Sequence, residues 1–191
     1  MKKKILLIGG GGHCKSVIDV IELENKYEIA GIIDKKECVG QDVLGYKIIG
    51  SDDNLEDLRH HYSYALITIG HIKSAEMRIK FFEMLKVFGY VLPIIISPLA
   101  YVSKHAKIGE GCVIMHHALI NSNVVIGQNC IINTKSLIEH DAIIEKCCHI
   151  STGAIVNGGA HVNMGTFYGS NATCKEYAHV SGFIKAGSVV K

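Results

Sequence analysis

The sequence has 191 residues, of which 48% are hydrophobic and 20% are charged, a composition that is typical of a folded protein and excludes extensive disorder. Its 20 Lys and Arg residues nearly balance its 18 Asp and Glu residues, and the resulting net charge of +2 predicts neither a nucleic-acid partner nor attachment to an anionic membrane. The length is that of one domain or two small ones.

The seven cysteines do not predict disulfide bonds. Their number is odd, no pair has the C-x-x-C spacing of a metal site, and a free cysteine packs as a small hydrophobic residue. The apolar run at residues 4–9 is too short for a signal peptide, and no segment reaches the length of a transmembrane helix. We therefore expect a cytoplasmic protein.

The first half of the chain alternates predicted strands and helices. The apolar patterns predict strands at residues 4–8, 27–33, 46–49, 64–69 and 90–96, and helices at residues 14–24, 52–58 and 73–87. Short units of strand, helix and strand are typical of a parallel sheet with helices on its faces. We expect a small Rossmann-like α/β domain over residues 1–97.

A glycine-rich loop connects the first predicted strand to the first predicted helix. Backbone N–H groups at such a helix start, here at Gly11, Gly12 and His13, can bind an anion. A dinucleotide fingerprint needs a third glycine where Cys14 stands, and the domain is short for a dinucleotide fold. The loop is therefore predicted to bind the phosphate of a nucleotide sugar or the sugar itself. The alternative is a purely structural turn.

After Pro98 the sequence adopts a period of six residues. An aliphatic residue occupies every sixth position, at Val102, Ile108, Ile114, Ile120, Ile126, Ile132, Ile138, Ile144, Ile150, Val156 and Val162. A small or slim residue precedes each by two positions, among them Cys112, Cys130 and Cys148. This period predicts a parallel β-helix over residues 98–191, in which residues eighteen apart stack at a strand spacing of about 4.8 Å. The period alone does not fix the hand of the coil.

Two stretches resemble a known family, residues 8–13 (IGGGGH) and residues 133–141 (NTKSLIEHD). They are similar to the sialic-acid O-acetyltransferase family and to the nucleotide-sugar N-acetyltransferases of bacillosamine and perosamine synthesis. The resemblance implies a left-handed β-helix, a homotrimer, and acetyl-CoA bound in a groove between neighbouring β-helices. It also implies that His13, Asp34 and Gly70 line the sugar-binding pocket.

Acetyl transfer requires a base for the incoming amine or hydroxyl group. His140 is the candidate base, because a neutral imidazole accepts a proton near pH 7. By resemblance, Asp141 rather than Glu139 is the carboxylate that orients the imidazole. Gly158 lies eighteen residues after His140, so we expect it to stack one coil above, where it would leave room for a thioester and offer a backbone N–H to an oxyanion. The alternatives are a polar corner histidine and a corner glycine.

The resemblance implies two further cofactor-binding residues, His149 and Asn133. His149 precedes an inward aliphatic residue and is predicted to point outward. His161 and His179 are also eighteen residues apart. A zinc site is an alternative interpretation of this pair, since trimeric β-helix carbonic anhydrases bind zinc through histidines. Those enzymes lack a nucleotide-binding front domain, and we expect no metal.

The predicted function is acetyl-CoA-dependent N-acetylation of an amino sugar carried on a nucleotide, by direct attack on the thioester. Two alternatives stay open at this point. One is O-acetylation of a sialic-acid-like sugar, which the motifs do not distinguish from N-acetylation. The other is a non-enzymatic β-helix module that binds a sugar nucleotide.

Overall fold

The computed structural model describes residues 2–191, which fall into two compact units. The first comprises residues 2–70 and Met77–Pro93, and the second comprises His71–Glu76 and Ile94–Lys191. The long segment of the second unit begins at Ile94, and the sequence predicted a division at residue 98. Within the described residues, no helix combines the length and the apolar character that crossing a membrane requires.

The first unit contains a five-stranded sheet. Its strands are β1 (Lys3–Ile8), β2 (Tyr27–Ile33), β3 (Asp42–Val43), β4 (Tyr46–Gly50) and β5 (Tyr64–Ile67), in the order β3-β4-β2-β1-β5. All pairs are parallel except β3 with β4. The helices are α1 (Gly12–Glu24), α2 (Leu55–Leu58) and α3 (Glu76–Val87), with 3-10 turns at Lys36–Cys38 and Asp52–Asn54. The sequence predicted this α/β class correctly.

Strand β1 lies in the interior of this sheet, between β2 and β5. Its residues from Ile5 to Ile8 are all at most 1% exposed, as expected of a parallel strand that is covered on both faces. The buried side chains of α1 keep helical spacing and pack that helix on the sheet. The helix ends at Asn25, a left-handed residue whose N–H donates to the carbonyl of Ile21.

Two predicted elements of this half differ from the structure. Residues 90–96 do not form the last strand of the sheet, since Val91 forms an isolated bridge with Tyr64 and Ile95–Ile96 belongs to the second unit. Helix α3 begins at Glu76 rather than at residue 73, because the Ser74 hydroxyl accepts the Glu76 N–H at 3.1 Å in the manner of an N-cap.

The second unit is a left-handed parallel β-helix whose two-residue strands form three sheets. The first sheet contains β7 (Tyr101–Val102), β10 (Leu119–Ile120), β13 (Leu137–Ile138), β16 (Ile155–Val156), β19 (Thr173–Cys174) and β22 (Val189–Val190). The second contains β8 (Lys107–Ile108), β11 (Val125–Ile126), β14 (Ile143–Ile144), β17 (His161–Val162) and β20 (His179–Val180). The third contains β6 (Ile95–Ile96), β9 (Val113–Ile114), β12 (Ile131–Ile132), β15 (His149–Ile150), β18 (Phe167–Tyr168) and β21 (Phe183–Ile184).

The interior of the β-helix is the aliphatic ladder that the sequence period predicted. Ile120, Ile138 and Val156 follow one another up the first sheet, and each is fully buried. Removing the side chain of one such isoleucine costs about 2–5 kcal/mol, because the coils above and below cannot close the cavity. Cys112, Cys130 and Cys148 fill small inward positions, and all seven cysteines are free thiols.

The corners repeat with the same period, and a left-handed residue marks each of eleven successive corners. These residues are His117, Asn123, Asn129, Lys135, Asp141, Cys147, Gly153, Gly159, Gly165, Asn171 and Tyr177. Asparagine, aspartate and glycine adopt this conformation at the lowest cost, which accounts for their frequency in the series. The corner that contains Asp141 therefore has the same backbone conformation as the neighbouring corners of the coil.

Candidate active site

His140 lies at the corner that follows β13, directly before the left-handed Asp141. Its Nδ1 is 2.8 Å from Oδ2 of Asp141, and Oδ1 of Asp141 accepts a hydrogen bond from Nδ2 of Asn123 at 2.7 Å. Because a carboxylate only accepts hydrogen bonds, Nδ1 carries the imidazole proton and Nε2 carries the lone pair. The His140 side chain is 57% exposed, so this lone pair is accessible to a substrate.

The charges around His140 strengthen it as a base. The hydrogen bond that His140 donates to Asp141 raises the pKa of His140 above its ordinary value of 6.5, and the charges of Asp141 and Glu139 add to this effect. The hydrogen bonds from Asn123 and then His140 lower the pKa of Asp141, which therefore stays ionised around neutral pH. Asn123 was not among the predicted site residues, although it lies eighteen residues before Asp141 and the coil period therefore predicts that the two stack.

Gly158 stacks over His140 as the eighteen-residue spacing predicted. Strands β13 and β16 pair in parallel, and the N–H of the next residue, Gly159, donates to the His140 carbonyl at 2.9 Å. A Cβ atom added to Gly158 would lie 3.0 Å from both Cε1 and Nε2 of His140. Glycine at this position therefore keeps the space over Nε2 of His140 open.

Asn133 and His149 form a second cluster on another sheet of the β-helix. Asn133 follows β12, and its Nδ2 lies 3.1 Å from Nε2 of His149 in β15. Nδ1 of His149 lies 2.7 Å from the backbone carbonyl oxygen of His71. His149 occupies the outer face of its strand as predicted, yet it is only 7% exposed, because His71 packs against its ring. His71 lies outside the six-residue repeat, so the sequence did not predict its contact with His149.

Within one chain the predicted site residues of the β-helix therefore form two clusters. His140, Asp141 and Gly158 lie at a corner of the first sheet, whereas Asn133 and His149 belong to the third sheet.

The first unit contains a cavity of about 410 Å³ beside the glycine-rich loop. All five residues predicted to bind the sugar nucleotide line it: Gly11, Gly12, His13, Asp34 and Gly70. A Cβ atom added to Gly11 or Gly12 would meet nothing within 4 Å. Since neither glycine has a left-handed φ, turn geometry does not require them, and the open space over them suits a ligand.

Hydrogen bonds hold the strand ends that form this cavity. Oδ2 of Asp34 accepts the N–H of Gly10 at 2.6 Å, and Oγ1 of Thr68 donates to the carbonyl of Gly9 at 2.6 Å. The fully buried Arg78 donates from Nη1 to the carbonyls of Ile67 and Ile69, at 3.1 and 2.6 Å.

Sequence analysis missed several residues of this cavity, because they come from separate segments of the chain. They include the lining residues Asp52, Thr68, Met77 and Phe81. Burial raises the pKa of the Asp52 carboxyl above its ordinary value. The apolar side chains of Met77 and Phe81 add a hydrophobic surface to the polar rim formed by the loop.

His161 and His179 stack on the second sheet as predicted, with ring centroids 5.4 Å apart and ring planes at 25°. Nε2 of His161 lies 2.8 Å from Oε1 of Glu145, which lowers the pKa of that carboxyl. In residues 2–191 there is no group of three or more His, Cys, Asp or Glu side chains arranged to hold a metal ion.

Two sequence families match the chain. The PglD N-terminal domain family matches residues 4–85, and the bacterial transferase hexapeptide family, with six repeats, matches residues 105–140. The hexapeptide match and the similar structures identify the chain as an acyltransferase. No curated protein sequence matches this acyltransferase chain significantly.

Solved structures similar to this acyltransferase have the same two-part fold. The acetyltransferase domain of PglB from Neisseria gonorrhoeae is 27% identical, with a TM-score of 0.91 over 100% of this chain and 92% of that one. Its complex with acetyl coenzyme A gives 26% identity and a TM-score of 0.88, over 100% and 93% of the two chains. A mutant perosamine N-acetyltransferase from Caulobacter crescentus, in complex with CoA and GDP-perosamine, is 27% identical, with a TM-score of 0.71 over 97% and 92%.

Proposed function

We propose that this acyltransferase moves the acetyl group of acetyl-CoA to the amino group of an amino sugar that is linked to a nucleotide. The observation that carries the proposal is the corner at His140, where Asp141 holds Nδ1 and the glycine at position 158 keeps the space over Nε2 open. The similar structures support the substrates, since one contains acetyl coenzyme A and another contains CoA with GDP-perosamine.

In the proposed reaction His140 acts as general base. The amino nitrogen attacks the thioester carbonyl while Nε2 of His140 takes its proton, so that a C–N bond forms and the carbonyl becomes an oxyanion. The C–S bond then breaks, and the proton on His140 passes to the departing CoA thiolate. The backbone N–H of Gly158 is the proposed donor to the oxyanion. No acyl-enzyme is required, and burial raises the pKa of Cys130 far above that of a nucleophilic thiol.

The nucleotide part of the sugar substrate is assigned to the cavity of the first unit. The start of helix α1 at Gly12 presents backbone N–H groups to a phosphate, and Gly11 leaves space for a close approach. Asp34 and Gly70 line the same cavity, beside His13. The volume of about 410 Å³ is within the range of small-ligand sites.

The two clusters of the β-helix support a homotrimer. Because His140 lies on the first sheet and Asn133 and His149 lie on the third, neighbouring copies can bring the two clusters together in one groove for acetyl-CoA. The free cysteines fit a reducing compartment, and we place the enzyme in the cytoplasm.

Release of free CoA thiol tests the proposal. Purified protein would be incubated with acetyl-CoA and a panel of UDP-, GDP- and dTDP-linked amino sugars, with sialic acid and a non-aminated nucleotide sugar as further acceptors. We expect thiol release with an amino-sugar nucleotide only, accompanied by a product heavier by one acetyl group. Turnover of sialic acid alone would overturn N-acetylation in favour of O-acetylation, and the absence of any acetyl-CoA binding would favour a non-enzymatic module.

A further inference from the structure

A second cavity of the first unit adjoins the one beside the glycine-rich loop, and we call the two the outer and the inner cavity. The outer cavity has a volume of about 360 Å³ and is lined by polar and charged residues: Lys35, Lys36, Glu37, Ser51, Asp52 and Asp53. Lys35 and Asp52 line both cavities and therefore mark the border between them. A ligand in the inner cavity can thus extend past Asp52 into the outer one.

The order of the strands places Asp52 to one side of the glycine-rich loop. The loop follows β1, Asp34 follows β2, and Asp52 follows β4, the next strand of the sheet. The N–H of Asp34 donates to the carbonyl of Gly50 at 3.2 Å, so the ends of β2 and β4 lie side by side. Asp52 is therefore about two strand spacings, or about 10 Å, from the end of β1. With a phosphate at the loop, a ribose would bring the base of the nucleotide to Asp52.

The two aspartates differ in their hydrogen bonds. Both carboxylate oxygens of Asp34 already accept backbone N–H groups, from Gly10 at 2.6 Å and from Lys35 at 2.7 Å. In residues 2–191 no other residue donates a hydrogen bond to the side chain of Asp52. Burial raises the pKa of the Asp52 carboxyl, and the charge of Lys80 offsets this only in part. N–H donors of a ligand would therefore replace the water that this carboxylate has lost.

The charges around the border favour a base that donates hydrogen bonds. The two cavities together are lined by four carboxylates and two lysines: Asp34, Glu37, Asp52, Asp53, Lys35 and Lys36. One carboxylate can accept two parallel N–H groups. Guanine presents such a pair in its N1–H and its 2-amino group. Uracil and thymine present a single N–H between two carbonyl oxygens, which a carboxylate repels.

We propose that Asp52 determines which nucleotide the enzyme accepts, and that the base is guanine, whose N1–H and 2-amino group donate to the Asp52 carboxylate at the border of the outer cavity. This inference rests on the proposed function, which places the nucleotide in the first unit. It separates the two aspartates, since Asp34 holds the loop through Gly10 while Asp52 selects the substrate.

Binding of nucleoside diphosphates tests the assignment without acetyl-CoA. GDP and UDP would be titrated calorimetrically into the wild type and Asp52→Asn. The control is Asp57→Asn, which removes an exposed carboxylate that lines neither cavity. We expect the wild type to bind GDP at least about tenfold more tightly than UDP, and Asp52→Asn to weaken GDP about 10- to 100-fold but UDP less than about threefold. Equal affinities in the wild type, or equal losses in Asp52→Asn, would overturn the proposal.

Inosine diphosphate provides a readout that does not depend on the folding of a variant. Its base keeps the N1–H of guanine but lacks the 2-amino group, so we expect it to bind the wild type about three- to tenfold more weakly than GDP. Equal binding of the two would overturn the paired hydrogen bonds. Thiol release with UDP-linked but not GDP-linked amino sugars would overturn this inference and leave the proposed function intact. Failure of every diphosphate to bind would overturn the nucleotide assignment of the proposed function as well.

Discussion

His140 and His149 lie in the same β-helix, yet the surroundings of their imidazole rings differ. Both rings bear their proton on Nδ1, which faces an acceptor: the Asp141 carboxylate for His140 and the His71 carbonyl for His149. At His140 the Nε2 lone pair lies at an exposed corner, whereas at His149 the Asn133 amide already occupies it. The two rings have the same tautomer. The hydrogen-bond partner of Nε2 therefore determines which histidine can accept a proton from a substrate.

The group that accepts the hydrogen bond from Nδ1 is a second difference between the two histidines. A carboxylate is charged and raises the pKa of His140, while the carbonyl of His71 carries no charge. The corner of the first sheet therefore has the geometry and charge that the proposed proton transfer needs, and in the third sheet the Asn133 amide is hydrogen-bonded to His149.

The largest expected effect is that of His140→Ala. Loss of the proposed general base should lower kcat by about 10²–10⁴, with little change in the affinity for acetyl-CoA. Steady-state kinetics beside calorimetry would measure both quantities. Equal losses of kcat in His140→Ala and His149→Ala would contradict the division of roles between the two histidines.

Gly158→Ala tests the open space over His140. The new Cβ would lie 3.0 Å from the ring and displace it, and we expect activity to fall about 10- to 100-fold with thermal stability nearly unchanged. The matched control is Gly159→Ala, which places a side chain at φ +67° against the ring of Tyr177 and should cost about 1–2 kcal/mol of folding free energy. Full activity in Gly158→Ala would show that the space has no role in the reaction.

Asp141→Asn should change the pH profile of kcat/KM. The wild-type carboxylate raises the pKa of His140, so its removal lowers that pKa and leaves the imidazole unprotonated to lower pH. We expect the acidic limb to move to lower pH while the plateau falls about tenfold, because the base is weaker. An acidic limb that stays in place would mean that a group other than His140 titrates there.

The smallest expected effect is that of Asn123→Ala, which removes the amide that holds Asp141. We expect a two- to tenfold loss of kcat/KM, as for one hydrogen bond, and a higher pKa of Asp141. Asn121→Ala is the matched control, because Nδ2 of Asn121 donates at the same 2.7 Å distance to Oε2 of Glu139. A larger loss in Asn121→Ala would make Glu139 the orienting carboxylate.

The β-helix was predictable from sequence because each of its contacts repeats at a fixed interval. Inward aliphatic residues recur every six positions, and eighteen residues separate His140 from the glycine that stacks on it, so a one-dimensional pattern gives a three-dimensional contact. The same rule relates Asn123 to Asp141, and applying it to every polar corner residue would have identified that pair.

The remaining features depend on contacts that no period relates. The strand predicted at residues 90–96 was wrong, because Ile95–Ile96 is apolar enough for either sheet and pairs with Val113–Ile114 of the β-helix. His71 contacts His149 from 78 positions away in the sequence, and the local composition around either residue does not predict this contact. The five residues predicted in the first unit line one cavity, and part of its apolar lining, Met77 and Phe81, comes from α3, far along the chain.

The most direct test of the account is a structure of the enzyme with CoA and an amino-sugar nucleotide that it acetylates. We predict that the amino nitrogen of the sugar lies within about 2.6–3.2 Å of Nε2 of His140, while Asp141 keeps its hydrogen bond to Nδ1. An amino nitrogen that instead lies against His149, or out of reach of every imidazole, would contradict the assignment of His140 as the general base.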